Sequence, residues 1–369
     1  SANPYFDMFG AEDMSSYSEI IFWRSYDNGL GVTNNVGMYE TRGNNGVGTT
    51  RSMIEAFVMQ DGRPVYEAEG MDEENDYLGD TSIYHVAANR DNRLQLFLKV
   101  PGDLNLHTEP GSHGIVQEPG PAITATSAER KYTTGYAIRK GLNFDGKHTF
   151  QAQSTIGSII FRATEAYLNY IEACYEKNGT IDATAAQYWQ ALRNRAKINP
   201  DYTYTIGLTD MAEEAKLDWA AYSGGSLVDP TLFNIRRERR CELMAEGFRE
   251  MDLRRWRSMD QLITTPYHVE GFNLWEAMYD WEWYKNSSGE SILSEGVNVS
   301  AASFGKYLQP YRIKANNIAY DGYSWAMAHY LEPIATQHML NTAPDGDITG
   351  SPVYQNPGWS NTAGTGALE

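Results

Sequence analysis

The segment at residues 234–257 reads NIRRERRCELMAEGFREMDLRRWR and places eight arginines in 24 residues. Five acidic residues are interleaved with these arginines, and apolar residues recur between them at helical spacing. A helix would bring four charged pairs together at i, i+3 or i, i+4: Arg239 with Glu242, Glu246 with Arg249, Arg249 with Asp252, and Glu250 with Arg254. Because exposed pairs of this kind stabilise little, the density of arginines indicates that several are partly buried against carboxylates. The segment therefore predicts two core-forming helices, with a break near Gly247, and not a free basic face.

The overall charge supports that interpretation. With 48 acidic and 30 basic residues, the chain has a formal net charge of −18. Nucleic-acid binding depends on clustered Lys and Arg that release counterions from phosphate, so nucleic acid is not an expected partner. The 369 residues leave room for two or three domains, and a composition of 41% apolar and 21% charged residues is typical of a globular protein.

The chain divides into three segments by pattern. Residues 1–158 are rich in Gly, Asn and Pro and predict an irregular lobe, whose short strands include Glu19–Trp23 and Leu94–Val100. Residues 159–263 predict a helical region, and residues 264–369 predict an aromatic-rich segment and a C-terminal tail that pack on the helices. The fold class that follows is mainly α, with helix pairs packed against a loop-rich lobe.

The helical region begins with two well-marked helices. Apolar residues recur at i, i+3, i+4 and i+7 over residues 161–175, and Gly179 is typical of the left-handed residue that ends a helix. Asp182 predicts the N-cap of the next helix, over residues 183–197. A weaker helix is expected over Thr209–Tyr222. Antiparallel helices joined by a short loop are the unit of tetratricopeptide-type arrays.

Two long motifs in this region resemble the signature of the SusD/RagB family, the surface glycan-binding lipoproteins that partner TonB-dependent outer-membrane transporters. The first motif, R-x-x-E-x-Y-L-x-Y-x-E-A, is matched by Arg162, Glu165, Tyr167, Leu168, Tyr170, Glu172 and Ala173. The second, I-R-x-E-R-R-x-E-L-x-x-E-G-x-R-x-x-D-L-R-R-W, is matched by Ile235, Arg236, Glu238, Arg239, Arg240, Glu242, Leu243, Glu246, Gly247, Arg249, Asp252, Leu253, Arg254, Arg255 and Trp256. Four further segments extend the resemblance: Ala56–Val65, Ala88–Leu98, Tyr330–Leu340 and Gln355–Trp359.

The resemblance implies a SusD-like fold and non-catalytic capture of an oligosaccharide or polysaccharide at the outward-facing surface of the outer membrane. It further implies delivery of the ligand to a SusC-like TonB-dependent transporter, with no enzymatic activity and no cofactor. Family members carry a lipoprotein signal and further tetratricopeptide helices before the equivalent of Ser1. This chain is therefore expected to be the C-terminal portion of such a protein, with membrane contact only through a lipid anchor outside the chain.

Other stretches carry weaker signals. The loop GNNGVGTTR at residues 43–51 has the glycine spacing of a phosphate-binding loop, but Thr49 stands where the lysine should be, so no nucleotide site is expected. The acidic run at residues 67–80 contains alternating carboxylates that could bind calcium: Asp72, Glu74 and Asp76. Tyr77 occupies the position that requires glycine in an EF-hand, so a solvated loop is favoured and calcium is a weak candidate. The seven histidines show no zinc-ligand spacing.

Aromatic residues make up 12% of the chain and are the candidate ligand-binding groups, because sugar rings pack their flat C–H faces on Trp and Tyr. The densest cluster supplies Trp275, Tyr279, Trp281, Trp283 and Tyr284. Loops of the first segment supply Tyr39, Arg42, Asn44, Asn45, Tyr77 and Tyr84. The alternative is that the cluster at residues 275–284 packs as a satellite core over the helices.

Two other functions stay open. A glycoside hydrolase would use a pair of carboxylates, but nothing in the sequence singles out such a pair among 48 acidic residues. A capture protein for peptides also fits, because the resemblance does not dictate the chemistry of the ligand. Arginine contacts to peptide carboxylates, in place of exposed Trp and Tyr faces, would favour that alternative.

Overall fold

The computed structural model describes residues 3–42, 48–68, 76–107, 114–116, 123–124, 132–278 and 282–368. Its α-helices are α1 (Pro4–Gly10), α2 (Val36–Arg42), α3 (Arg51–Ala56), α4 (Ile83–Ala87), α5 (Asn92–Phe97), α6 (Ala163–Asn178), α7 (Ala183–Arg195), α8 (Tyr202–Leu208), α9 (Met211–Glu214), α10 (Pro230–Glu242), α11 (Arg249–Arg255) and α12 (Thr336–Thr342). The strands are β1 (Ile20–Arg24), β2 (Ser158–Arg162), β3 (Tyr222–Ser223) and β4 (Ser226–Leu227).

Short 3-10 helices connect these elements at Asn28–Leu30, Val65–Glu67, Gly146–His148, Trp219–Ala221, Asp260–Ile263, Glu282–Tyr284, Ala302–Phe304, Pro310–Arg312, Met327–Tyr330 and Ile348–Gly350, and a π-helical turn spans Leu274–Met278. Within the described residues, the strands form two small antiparallel sheets, β1 with β2 and β3 with β4. The prediction of a mainly α fold is confirmed.

Two strands are predicted in the first segment, and the structure confirms one of them and contradicts the other. The strand expected at Glu19–Trp23 is β1, which pairs with β2 so that Ile20 is opposite Arg162. The strand expected at Leu94–Val100 is wrong, because most of it belongs to helix α5. The Asp91 carboxylate accepts a hydrogen bond from the backbone N–H of Arg93 and caps that helix. Leu94, Phe97 and Leu98 are all buried, at the i, i+3, i+4 spacing of a helix.

The predicted pair of helices is confirmed as α6 and α7. Helix α6 ends at Gly179, whose φ of 68° is left-handed, and Asp182 caps α7 by accepting from the backbone N–H of Ala185 at 2.8 Å. The start of α6 was expected two residues too early, since Phe161 and Arg162 belong to β2. The single helix expected at Thr209–Tyr222 is wrong, because this stretch is divided between α9, a 3-10 turn and the first residue of β3.

Helix α10 joins two groups of buried apolar side chains. Ile235 on α10 packs with Leu168 of α6 and Trp189 of α7. Cys241, further along the same helix, belongs to the larger group, which draws on residues from all three predicted segments. Phe97 from the first segment and Phe272 from the last are both part of it. The division of the chain at residues 158 and 263 therefore remains a proposal about domains.

The arginines of α10 are buried, as their density in the sequence predicts. Arg236, Arg237 and Arg239 expose 2%, 5% and 2% of their surface. The expected break is also confirmed, because α10 ends at Glu242 and Gly247 has a φ of 85° before α11 begins. These side chains hold the fold together from inside and do not form a basic surface.

Three of the four charged pairs expected from helical spacing are wrong. Only Glu250 and Arg254 pair, at 2.9 Å. The other partners are far apart in sequence: Arg239 with Asp252 at 2.7 Å, Arg249 with Asp218 at 2.5 Å, and Glu242 and Glu246 with Arg162 at 2.9 and 2.7 Å. The reason is that the chain reverses after Glu242, which places Asp252 beside Arg239 and turns both glutamates toward other elements.

Glu242 is the centre of this buried network. Its carboxylate is 0% exposed and accepts hydrogen bonds from Arg162 at 2.9 Å, Arg93 at 3.1 Å, Arg195, and the Tyr5 hydroxyl at 2.9 Å. Burial alone would raise the pKa of Glu242, but the surrounding arginines hold it well below its ordinary value. Glu242 is therefore ionised and ties the end of α10 to residues from four other elements, α1, α5, β2 and α7.

Candidate functional site

Two stretches that contain predicted ligand-binding residues, one in the first segment and one in the last, meet at the carboxylate of Asp80. Asn273 Nδ2 donates to Asp80 Oδ1 at 2.9 Å, and the Tyr307 hydroxyl donates to Oδ2 at 2.7 Å. Lys306 Nζ lies 3.5 Å from Asp80 and 3.5 Å from Glu276. These five residues, Asp80, Asn273, Glu276, Lys306 and Tyr307, form the Asp80 junction, which holds the loop before α4 against the last segment.

The backbone next to the junction is closely paired. Asn273 and Tyr307 are partners in an antiparallel bridge, and Gly271 N–H donates to the carbonyl of Leu308 at 2.7 Å. A Cβ on Gly271 would lie 2.2 Å from the carbonyl oxygen of Thr134, so only glycine fits there. Two of the junction side chains are thus positioned by a paired backbone instead of a free loop.

The charges of the junction keep Asp80 ionised. Burial raises the pKa of this carboxyl, but hydrogen bonds from Asn273 and Tyr307 and the charge of Lys306 lower it below the ordinary value. Arg51 stacks on Tyr307 with its guanidinium carbon 3.6 Å from the ring centre. The side chains of Lys306 and Glu276 are 35% and 66% exposed, so a donor and an acceptor remain open to solvent.

The predicted aromatic residues near the junction differ in exposure. Trp275 is partly buried, and its indole N–H donates to the carbonyl of Ser300 at 3.2 Å. Tyr284 is fully buried in the core, which is the packing position that the alternative interpretation expects. Tyr77 is partly buried with Arg90 5.4 Å from its ring centre, whereas Tyr84 is 65% exposed.

Other predicted residues lie elsewhere or outside the described residues. Tyr39 and Arg42 are on α2, and the Arg42 guanidinium lies 5.0 Å from the ring centre of Phe150. Trp283 lies in the 3-10 helix Glu282–Tyr284, but its side chain is outside the described part of the chain. The remaining candidates are also outside it: Asn44, Asn45, Tyr279 and Trp281. Their part in a ligand site stays a prediction.

The calcium candidate is only partly within the described residues. Asp72 and Glu74 lie outside them, and the Asp76 carboxylate forms an ion pair with Arg63 at 2.9 Å. In the part of the chain that the structure describes, no group of three or more His, Cys, Asp or Glu side chains is arranged to hold a metal ion.

A second aromatic group is not foreseen by the sequence analysis. Tyr311, Tyr323, Trp219 and Tyr267 form a chain of edge-to-face contacts, with ring centres 5.9, 6.5 and 5.2 Å apart. Tyr323 is 40% exposed, so this chain reaches the surface. The signal in the sequence is the density of Tyr and Trp in residues 304–330, but the contact with Trp219 is too distant in sequence to be expected from it.

None of the described helices has the length and apolar character that crossing a membrane requires.

Comparison with solved structures identifies related folds. A SusD-like protein from Bacteroides fragilis superposes with a TM-score of 0.56 at 19% identity, over 96% of this chain and 57% of that one. A SusD-like carbohydrate-binding protein from the same organism superposes with a TM-score of 0.50 at 18% identity, over 83% of this chain and 51% of that one. The chain thus spans somewhat more than half the length of these two proteins.

A family model gives the assignment. No curated protein matches this chain. The model of the SusD family matches residues 13–359, which is nearly the whole sequence and contains the signature at residues 234–257. The chain therefore belongs to the SusD family.

Proposed function

We propose that this chain captures an oligosaccharide or polysaccharide without cleaving it. Membership of the SusD family supports this function, and one of the similar structures is described as a carbohydrate-binding protein. We further propose that capture takes place at the outward-facing surface of the outer membrane, and that the ligand passes to a SusC-like TonB-dependent transporter. This part of the proposal rests on the family alone.

The proposed location of the binding site rests on one observation, which is that side chains of the first and last segments meet at Asp80. Tyr77 and Tyr84 in the first segment and Trp275 in the last are predicted ligand-binding residues, and the Asp80 junction joins the two stretches that contain them. Tyr84 presents an exposed ring, and Lys306 and Glu276 present open polar groups. This combination of an aromatic face with a few polar groups is what orients a sugar in a binding site.

The expected affinity is modest. If one ring covers on the order of 100 Å² of sugar and partner surface, burial contributes roughly 2.5 kcal/mol at about 25 cal/mol per Å². Two or three such contacts, less the cost of ordering both partners, give a dissociation constant from roughly tens of µM to mM. Weak binding at one site suits a protein that passes its ligand on.

Affinity gel electrophoresis across a panel of soluble polysaccharides tests the proposal. We expect retardation by at least one polymer, with no release of reducing sugar in the same samples. The double variant Tyr84→Ala, Glu276→Gln should lose most of this retardation, because Tyr84 is an exposed ring on the stretch that Asp80 anchors and Glu276 is an exposed carboxylate of the junction. Tyr354→Ala is the matched control, since Tyr354 is 85% exposed and lies in the C-terminal tail.

Two results would contradict the proposal. If the double variant is retarded like the unmodified chain, the Asp80 junction is not the binding site. Release of reducing sugar would favour the glycoside hydrolase alternative. Asp80 does not suit the role of the general acid in such an enzyme, because a general acid needs a raised pKa and the hydrogen bonds from Asn273 and Tyr307 lower the pKa of this carboxyl.

A further inference from the structure

A second site is indicated by an imbalance of charge beneath the turn between α10 and α11. The Asp218 carboxylate accepts from Arg240 at 2.7 Å through one oxygen and from Arg249 at 2.5 Å through the other. Asp218 is 5% exposed and Arg240 is 9% exposed at the side chain, so water screens that pair little, whereas the Arg249 side chain is 32% exposed. Two guanidinium groups share one carboxylate, which leaves one positive charge without a counter-charge at this point.

Neighbouring charges do not remove the imbalance. Arg236 adds a third buried guanidinium nearby, and its hydrogen bonds go to the carbonyls of Ala220 and Tyr222 and the hydroxyl of Ser223. The other carboxylates in the vicinity are engaged with other arginines: Asp252 with Arg239 and Arg255, Glu172 with Arg255, and Glu250 with Arg254. The local surplus is positive although the whole chain is strongly negative.

Two buried donors of these arginines, Arg236 Nε and Arg249 Nη1, have no acceptor among the described residues. Arg249 Nη1 is buried, and no described residue accepts a hydrogen bond from it, although Nη2 of the same guanidinium is bound to Asp218. An unpaired N–H on a charged group costs more than an unpaired neutral one. The cost is removed if a ligand supplies an anionic oxygen.

A cavity of 460 Å³ has Arg249 in its wall. The wall also contains Arg239 and Arg240, the acidic residues Glu250 and Asp252, and apolar groups that include Phe248 and Met53. Phe248 is partly exposed. The volume is within the range of small-molecule sites, and an apolar wall with a few polar groups is their usual composition.

We propose that this cavity binds the carboxylate of an acidic sugar, a uronic acid residue of the captured glycan. The carboxylate would accept from Arg249 Nη1 and supply the missing negative charge, while the C–H face of the pyranose ring packs on Phe248. The choice of a sugar as the carrier rests on the proposed function, whereas the demand for an anion rests on the arginines alone. A single carboxylate fits better than a polyanion, because the net charge of −18 repels the latter.

The test compares oligosaccharides that differ only in charge. Short oligosaccharides that carry one galacturonate, glucuronate or mannuronate residue, and the methyl esters of the same oligosaccharides, are titrated against the chain by isothermal titration calorimetry. We expect at least one acid form to bind at least about tenfold more tightly than its ester, since a charge-assisted hydrogen bond is replaced by a neutral one. Arg249→Gln should bring that ratio close to one.

A substitution that removes a negative charge from the cavity wall should have the opposite effect on binding, and it does not alter a buried residue. Glu250 lines the cavity and its side chain is 76% exposed, so Glu250→Gln should fold normally and strengthen binding of the acid form. Arg257→Gln, which removes an arginine that is 57% exposed at the side chain and does not line the cavity, should leave the ratio unchanged.

Each outcome distinguishes this inference from the proposed function. Equal affinity for acids and esters in all three series, or a ratio that survives Arg249→Gln, would overturn the uronate site. Tight binding of a peptide with a free C-terminus, but not of its amide or of any uronate, would overturn it in favour of a peptide ligand. Retardation by neutral polysaccharides tests the Asp80 junction separately and can succeed or fail without affecting this site.

Discussion

The buried Glu242 carboxylate offers a sharp test of the ionic core. In Glu242→Gln the side chain keeps its size but loses its charge, and one acceptor oxygen becomes an N–H₂ donor. That donor would point at guanidinium groups, because Arg93, Arg162 and Arg195 all lie within ion-pair distance of the carboxylate. The substitution therefore leaves buried positive charge without its partner and replaces attraction by repulsion.

The expected cost is large. Removing one partner of a buried ion pair typically destabilises a protein by about 3–5 kcal/mol, since the remaining charge cannot return to water. Arg162 keeps Glu246 and Glu19 as partners, and Arg93 keeps Asp91, which favours the lower end of that range. We therefore expect the free energy of unfolding to fall by about 3 kcal/mol.

Urea unfolding followed by tryptophan fluorescence measures the change. Glu250→Gln is the matched control, because it removes an exposed carboxylate whose pair with Arg254 is worth about 0.3–0.5 kcal/mol. If Glu242→Gln is within about 1 kcal/mol of the unmodified chain, the buried charges are not mutually dependent and the reasoning is refuted.

Three further predictions follow from the same structure. The folded-state pKa of Glu242 is depressed, so ionised Glu242 stabilises the fold at pH values above its unfolded pKa of about 4.3, and this contribution is lost as the pH falls. The free energy of unfolding, measured between pH 5 and pH 3, should therefore fall less steeply in Glu242→Gln than in the unmodified chain. Gly179→Ala should cost about 1 kcal/mol in thermal unfolding, because φ is 68° although no atom blocks a Cβ; an unchanged midpoint would contradict the left-handed cap. Gly271→Ala should cost considerably more, because its Cβ would meet the Thr134 carbonyl at 2.2 Å; equal effects of the two glycine substitutions would count against that close approach.

The sequence correctly predicts those helix ends that are determined by neighbouring residues. The end of α6 at Gly179 and the cap of α7 at Asp182 depend on neighbouring residues, and both are confirmed. The strand expected at Leu94–Val100 is wrong because a run of apolar residues fits a buried helix as well as a strand, and the Asp91 cap decides between them.

Partners of the buried charges cannot be predicted in the same way. The density of arginines correctly indicates burial, but helical spacing names the wrong carboxylates in three of four pairs. The partners of Glu242 come from α1, α5, α7 and β2, so only the folded chain brings them together. The Asp80 junction is non-local for the same reason, with Asn273 and Tyr307 both in the last segment.

The large sequence separation between Glu242 and its partners affects how the chain folds. Its contacts with Tyr5 and Arg93 span 237 and 149 residues, so they form only after most of the polypeptide is present. Contacts of high sequence separation slow folding, because the chain between them must be ordered first. The signature segment is thus not an autonomous folding unit, and an excised fragment beginning near Ser158 should remain partly unfolded and sensitive to protease.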